Sequence, residues 1–183
     1  NKSVIKEVFF NELVNLTSIT KKLKGRLFFI GNGASAAFSN HMALDWSKNG
    51  GLYATSLSDS VLLTALSNDY SYEQAFVEFL RIEGVNKNDL VVTISSSGNS
   101  KNIINVLEYC NLSNIKTIGF SGLNNDNKTR LLADFSLYVP KKTYGIVECI
   151  HQVFLHLWLD KSMGIFEWKR EEVQNMNSKE FKL

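Results

Sequence analysis

The chain has 183 residues, of which 44% are hydrophobic and 21% charged, and its 20 basic and 18 acidic residues leave a formal net charge of +2. This composition excludes a largely disordered chain, and the scattered charges do not form the basic stripe typical of nucleic-acid-binding proteins. No apolar run approaches the roughly 18 to 20 residues of a transmembrane helix.

Helical and strand-like segments alternate along the sequence. Helical segments repeat apolar residues every three to four positions, whereas strand segments are short apolar runs. In chain order we predict helix 3–23, strand 26–30, helix 34–48, strand 52–57, helices 60–66 and 72–83, strand 90–94, helix 101–110, strand 116–120, helix 129–133, strand 135–139 and helix 144–163. This order predicts an α/β fold, a three-layer sandwich in which helices cover both faces of a central parallel sheet. We expect one domain over 1–183, made of an N-terminal helix (1–23), an α/β core (24–163) and a charged extension (164–183).

The first candidate binding loop is Gly31-Asn32-Gly33-Ala34-Ser35-Ala36, between a predicted strand and a predicted helix. Glycines allow a tight turn, and the helix N-terminus offers free N–H groups to an anion. The loop also matches the dinucleotide pattern G-x-G-x-x-A, with Asp59 as the candidate ribose-binding acid. A plain structural turn is a further alternative.

The second candidate loop, Ser95–Ser100, contains four serines, one glycine and one asparagine. Its hydroxyl and backbone N–H groups can together surround a phosphate. A helix cap is the alternative, but one serine is enough for a cap. A dinucleotide site does not need this second anion pocket, whereas a phosphorylated sugar that contacts both loops does. The two loops together therefore favour a sugar phosphate.

Two pairs of titratable residues occupy helical faces. His41 and Asp45 are four residues apart on the helix that begins at the first loop, and Glu148 and His156 share a stripe of the last helix. Two imidazoles and two carboxylates can bind zinc or a similar divalent metal. The spacing alone leaves open that each histidine is an ordinary packed or surface residue. His151 lies off the stripe, and we expect it to be structural or to support the metal ligands.

Several motifs occur in the order of a known family. Residues 31–37 (GNGASAA) and 40–45 (NHMALD) are similar to G-N-G-G-S-A-A followed by A-Q-H-F-A-A-E, and residues 95–100 are similar to S-T-S-G-N-S. Residues 67–70 (SNDY) and the Glu148-x7-His156 helix follow the same order. On these motifs the chain resembles the phosphoheptose isomerases, which contain the sugar isomerase (SIS) domain, from residue 24 to about 163.

The resemblance implies an SIS fold with Rossmann-like topology and a homotetrameric, cytoplasmic enzyme. Such an enzyme interconverts sedoheptulose 7-phosphate and D-glycero-D-manno-heptose 7-phosphate, the first step toward the heptoses of bacterial lipopolysaccharide, capsule or glycoprotein sugars. A cytoplasmic location also agrees with Cys110 and Cys149, since two cysteines make no disulfide framework. The family's substrate and phosphate contacts carry over to Asn32, Gly33, Ala34, Ser35, Asn68, Asp69, Ser95, Ser96, Ser97 and Ser100. Its zinc ligands, one ion per subunit site, carry over to His41, Asp45, Glu148 and His156.

Three departures from the family concern the reacting end of the sugar. Asp45 replaces a glutamate that doubles as acid/base, and its carboxylate reaches about 1.5 Å less far. Glu148 replaces a neutral glutamine, and residues 144–146 (YGI) replace Ala-Asp-Arg, so an acidic sugar contact is missing. We expect His156 and one of the two carboxylates, Asp45 or Glu148, to form the catalytic acid/base pair.

Two other classes of function are compatible with these motifs. One is a non-catalytic SIS domain that binds a sugar phosphate or a protein partner, which the replaced ligands favour and the retained His41 and His156 oppose. The other is an oxidoreductase that binds a nicotinamide dinucleotide at the first loop.

Overall fold

The computed structural model describes residues 2–165, and the predicted C-terminal extension lies outside them except for its first two residues. The helices are α1 (Lys2–Lys22), α2 (Ala34–Asp45), α3 (Ser60–Asp69), α4 (Ala75–Ile82), α5 (Lys101–Leu112), α6 (Lys128–Leu132) and α7 (Tyr144–Met163). The strands are β1 (Leu27–Gly31), β2 (Ala54–Ser56), β3 (Leu90–Ser95), β4 (Lys116–Gly122) and β5 (Phe135–Val139). None of the helices within this range is both long and apolar enough to cross a membrane.

The five strands form one parallel sheet in the order β2-β1-β3-β4-β5. Alternate side chains of each strand point to opposite faces, so Phe29 and Phe120 join the core beneath α1, α2 and α7. Phe28 and Val91 join the other core, beneath α3, α4 and α5. The predicted three-layer α/β fold is therefore confirmed.

The sheet order creates a crevice at the carboxyl ends of β1 and β3. The chain leaves β1 toward β2 on one side and later returns to build β3, β4 and β5 on the other. In open α/β sheets ligands bind at this point of reversal, because the two adjacent loops diverge there. The two candidate loops directly follow these two strands.

The N-terminal helix is present and packs against the last helix. Leu13 is fully buried, and the indole N–H of Trp158 donates a hydrogen bond to the hydroxyl of Thr17 at 3.0 Å. Trp158 also packs against Trp46, with ring centroids 4.9 Å apart. These contacts join α1, α2 and α7 into one layer.

The helix predicted over 34–48 is α-helical only to Asp45 and continues as a π-helical turn over Trp46–Gly50. Trp46 is fully buried against Trp158, and a Cβ on Gly50 would lie 2.5 Å from the Trp46 ring. Glycine at position 50 therefore lets the wider turn close over the indole. Such single π-turns are frequent at functional sites, and this one directly follows Asp45.

The segment between β2 and α4 differs slightly from its prediction. Asp59 caps α3, since its Oδ1 accepts the backbone N–H groups of Val61 at 2.8 Å and Leu62 at 3.0 Å. Helix α4 begins at Ala75 and not at Tyr72, because Ser71 starts a separate turn whose hydroxyl accepts the backbone N–H of Gln74.

Candidate active site

The first loop brings the N-terminus of α2 to the crevice. Gly33 adopts φ 56° and ψ −123°, a conformation that is essentially restricted to glycine. At Gly31 a Cβ would lie 2.7 Å from the carbonyl carbon of Ser35, so only glycine allows α2 to start this close to β1. As a result, the first backbone N–H groups of a 12-residue helix lie at the carboxyl end of the sheet.

The second loop presents serine hydroxyls at the start of α5. Ser100 occupies the N-cap position of α5, but its side chain makes no capping hydrogen bond. Its hydroxyl lies 3.5 Å from that of Ser95, which also accepts the backbone N–H of Gly98 at 3.2 Å. Within residues 2–165 the buried hydroxyl of Ser96 has no hydrogen-bond partner. These serines are therefore not explained by helix capping, and free hydroxyls at a helix N-terminus favour an anion.

A cavity of about 140 Å³ lies between the two loops and α7. One water molecule takes up about 30 Å³ in liquid water. The cavity can therefore hold a small polar group and a few of the atoms attached to it. The cavity is lined by Asn32, Ser35, Ile94, Ser95, Ser96, Ser97, Ser100, Tyr144 and Glu148. Six of the predicted substrate-binding residues thus meet at one place, together with the predicted catalytic residue Glu148.

Four predicted substrate residues are not part of this lining. Gly33 and Ala34 contribute backbone to the first loop and the start of α2. Asn68 and Asp69 lie exposed at the end of α3, where the Asn68 amide donates to the Asp69 carboxylate at 3.0 Å.

A second group of side chains joins α2 to α7. Nε2 of His41 lies 3.3 Å from Oδ2 of Asp45, and the rings of His41 and His156 have centroids 5.1 Å apart. One nitrogen or oxygen from each of these three residues lies within 4.8 Å of the others. Two imidazoles and one carboxylate with open positions are the donor set of many catalytic zinc sites, so these residues fit a divalent metal.

Glu148 is not one of those three clustered residues. It precedes His156 by eight residues on α7, about 12 Å along the helix axis at 1.5 Å per residue. Its half-buried side chain lines the cavity with the serines. The four predicted metal ligands are therefore divided: three form the cluster, and the fourth faces the space between the two loops.

His151 is fully buried beside the site. Its Nε2 lies 3.1 Å from the backbone carbonyl oxygen of Ser121, and its ring meets the Phe120 ring edge-on. Burial lowers the pKa of His151 to about 4, and the hydrogen bond to Ser121 offsets only part of that effect. His151 is therefore neutral at pH 7, and its burial agrees with the structural alternative.

The buried His151 predicts a pH-dependent stability. Because the folded-state pKa of about 4 lies below the ordinary value of 6.5, the unfolded state binds more protons between these pH values. The pKa shift of His151 contributes about 3 kcal/mol to the free energy of unfolding. This contribution is complete above pH 6.5 and is lost as the pH falls toward 4. Urea denaturation at a series of pH values measures it. The free energy of unfolding of His151→Leu should change less with pH across this window, and an unchanged pH dependence would contradict the assignment.

Sequence reasoning missed three residues of the site. Asn102 and Tyr72 both hydrogen-bond to the side chain of Asn32, and Tyr144 lines the cavity. Asn102 had a signal in the sequence, since it lies two positions after Ser100 and directly before the apolar pair Ile103-Ile104. Tyr72 had none, because it was placed inside a predicted helix.

Comparison with known proteins gives consistent matches. The SIS domain family matches residues 10–122. The phosphoheptose isomerase of Helicobacter pylori (strain Shi470) is 35% identical over 153 residues, which cover 80% of this chain and 79% of that protein. That of Aneurinibacillus thermoaerophilus is 35% identical over 138 residues, covering 72% and 69%. The structure of phosphoheptose isomerase GmhA from Neisseria gonorrhoeae superposes with a TM-score of 0.79 at 26% identity, covering 90% of this chain and 91% of that one.

Proposed function

Because the chain belongs to the SIS domain family and, within it, to the phosphoheptose isomerases, we propose that it interconverts sedoheptulose 7-phosphate and D-glycero-D-manno-heptose 7-phosphate. The observation that carries the proposal is the cavity in which the serine loop, the first loop and Glu148 meet. The His41, Asp45 and His156 cluster lies on α2 and α7, the same two helices that flank this cavity. The product would supply heptose for bacterial surface glycans.

The phosphate is assigned to the serine loop. Ser95, Ser96, Ser97 and Ser100 offer hydroxyls, and the N-termini of α2 and α5 offer backbone N–H groups and the positive ends of their dipoles. Ser35 lines the same cavity from α2. These groups bind a phosphate without a lysine, and they fix the position of the rest of the sugar.

A divalent metal, zinc by the family precedent, would be held by His41, Asp45 and His156. Once bound, such an ion polarises a carbonyl and stabilises negative charge on oxygen. Nε2 of His41 and Oδ2 of Asp45 lie 3.3 Å apart, close enough for both to contact one ion. Glu148, the fourth predicted ligand, is not part of this group of three and lines the cavity between the two loops.

Proton transfer is assigned to Glu148 and His156. Aldose–ketose isomerisation moves one proton between C1 and C2 and another between the two oxygens, through an enediolate. We assign the carbon proton to Glu148, the one of the two candidate carboxylates that lines the cavity with the serine loop. Asp45 is shorter and lies in the cluster with His41 and His156, so we assign it the role of ligand. His156 moves the proton between the oxygens.

The proposal includes a homotetramer in the cytoplasm. Helix α7 exposes a stripe of apolar residues at helical spacing, with Ile146 50%, Val153 55% and Leu157 40% accessible. A contiguous apolar stripe beside the site is typical of a surface covered by another subunit. Light scattering on the purified chain measures the assembly.

The reaction is tested directly with sedoheptulose 7-phosphate. We expect conversion to the aldose, followed by NMR at C1 and C2, to require a divalent metal, to stop after chelation and to return when zinc is added. If the phosphosugar binds but is not converted under any of these conditions, the chain is a non-catalytic SIS domain. Asp59 caps α3 with the carboxylate that a dinucleotide site would use, so we expect no tight binding of NADH by fluorescence.

A further inference from the structure

The carboxamide of Asn32 is held by two residues outside the lining of the cavity. Asn32 and Asn102 form a reciprocal amide pair, in which each Nδ2 donates to the other's Oδ1 at 3.0 Å. The hydroxyl of Tyr72 donates to the same Asn32 Oδ1 at 2.7 Å. Asn102 is buried in the second position of α5, whereas Tyr72 comes from the turn before α4. Two separate segments therefore converge on one side chain of the first loop.

These bonds determine which hydrogen-bonding positions of the Asn32 amide are occupied and which remains free. An amide oxygen accepts two hydrogen bonds, and both positions on Asn32 Oδ1 are filled by Asn102 and Tyr72. The nitrogen carries two N–H groups, of which the amide pair uses one. The separation of 2.7 Å to the Tyr72 oxygen is typical of an O–H···O bond and short for an N–H···O bond, which supports the assignment of Oδ1 to that side.

We propose that Asn102 and Tyr72 are positioning residues that make Asn32 a hydrogen-bond donor to the substrate. Asn32 lines the cavity, so its remaining N–H is available to an acceptor oxygen of the bound phosphosugar. The inference rests on the proposed function for the identity of that ligand. Rotation of the amide would cost both bonds to Asn102 and replace the Tyr72 hydrogen bond with a less favourable one. The site is therefore preorganised before the sugar binds.

The test is a double-mutant cycle with Tyr72→Phe and Asn32→Ala, read with sedoheptulose 7-phosphate. Tyr72 is half exposed, so the loss of its hydroxyl leaves the packing of the ring intact. We expect Tyr72→Phe to raise KM about fivefold, the effect of one lost hydrogen bond, with kcat within about twofold. In the Asn32→Ala background the same change should have almost no effect, because Tyr72 acts only through Asn32. An equal effect in both backgrounds overturns the proposal.

Two further variants complete the design. Tyr53→Phe removes an exposed hydroxyl at the opposite end of the sheet and should leave KM unchanged. Asn102→Ala, with its fold checked by circular dichroism, should raise KM like Tyr72→Phe and likewise lose its effect in Asn32→Ala.

Failure of the proposed function is separable from failure of this inference. If the wild-type chain does not convert sedoheptulose 7-phosphate, the proposed function is contradicted. The Tyr72→Phe and Asn32→Ala cycle is then read as the free energy of unfolding without ligand. A Tyr72→Phe effect that disappears in Asn32→Ala supports the positioning of Asn32, and an additive effect overturns it.

Discussion

Replacement of His156 by alanine is expected to lower kcat for sedoheptulose 7-phosphate about a thousandfold or more and to leave the fold intact. His156 has two assigned roles: a proton-transfer group, which contributes about 10² to 10⁴ in rate, and a metal ligand beside His41 and Asp45. Its side chain is only half buried, so alanine should cost little stability. Turnover is followed by NMR at C1 and C2, and the fold by circular dichroism.

The zinc content of His156→Ala tests the metal-ligand role directly and distinguishes it from a general loss of structure. Zinc per subunit, measured by elemental analysis after dialysis against limiting zinc, should fall in both His156→Ala and His41→Ala. Glu108→Ala is a control, because it shortens an exposed side chain on α5 that belongs neither to the site nor to the apolar stripe of α7. It should keep both zinc and turnover. Near wild-type activity in His156→Ala would contradict the assignment of the site.

The positions of the two loops could be predicted because they follow from local rules. A parallel sheet places the loops after all its strands at one edge, so Gly31–Ala36 and Ser95–Ser100 had to lie on the same side. Spacing by four residues likewise placed His41 and Asp45 on one face of a helix. The meeting of these residues with His156 could not be derived in this way. It depends on the packing of α2 against α7; the residue types suggested that the two helices share a metal, and the resemblance specified the ligands.

Other features depend on tertiary contacts that no local pattern encodes. The π-helical turn after Asp45 forms because Trp46 is buried against Trp158, far away in the chain. Tyr72 reaches Asn32 because α4 starts three residues later than predicted. Glu148 shares a stripe with His156, but it lies about two turns earlier on α7 and lines the cavity with the serine loop. The spacing in the sequence predicted which face of the helix Glu148 occupies, but it did not predict which residues lie beside it.

Replacement of Glu148, which lies apart from the metal cluster, is expected to have the second large effect on turnover. Glu148→Gln should lower kcat about a hundredfold, because an amide of nearly the same shape cannot accept the carbon proton. KM should change little, because glutamine keeps the size of the side chain and the serine loop holds the phosphate in this proposal. Glu12→Gln, which neutralises an exposed carboxylate on α1, is the control and should leave both constants unchanged.

The variant also decides between the two carboxylates, because glutamine is the residue that the resemblance places at position 148. If Asp45 carried the proton, as its counterpart does in the family, Glu148→Gln would retain most of the activity. If Glu148 carries it, activity is lost, and Asp45→Glu added to Glu148→Gln should recover at least part of it. The longer side chain restores about 1.5 Å of reach at position 45, and the pair then matches the family at both positions. Rescue by the double variant would mean that this chain moved its catalytic carboxylate from α2 to α7.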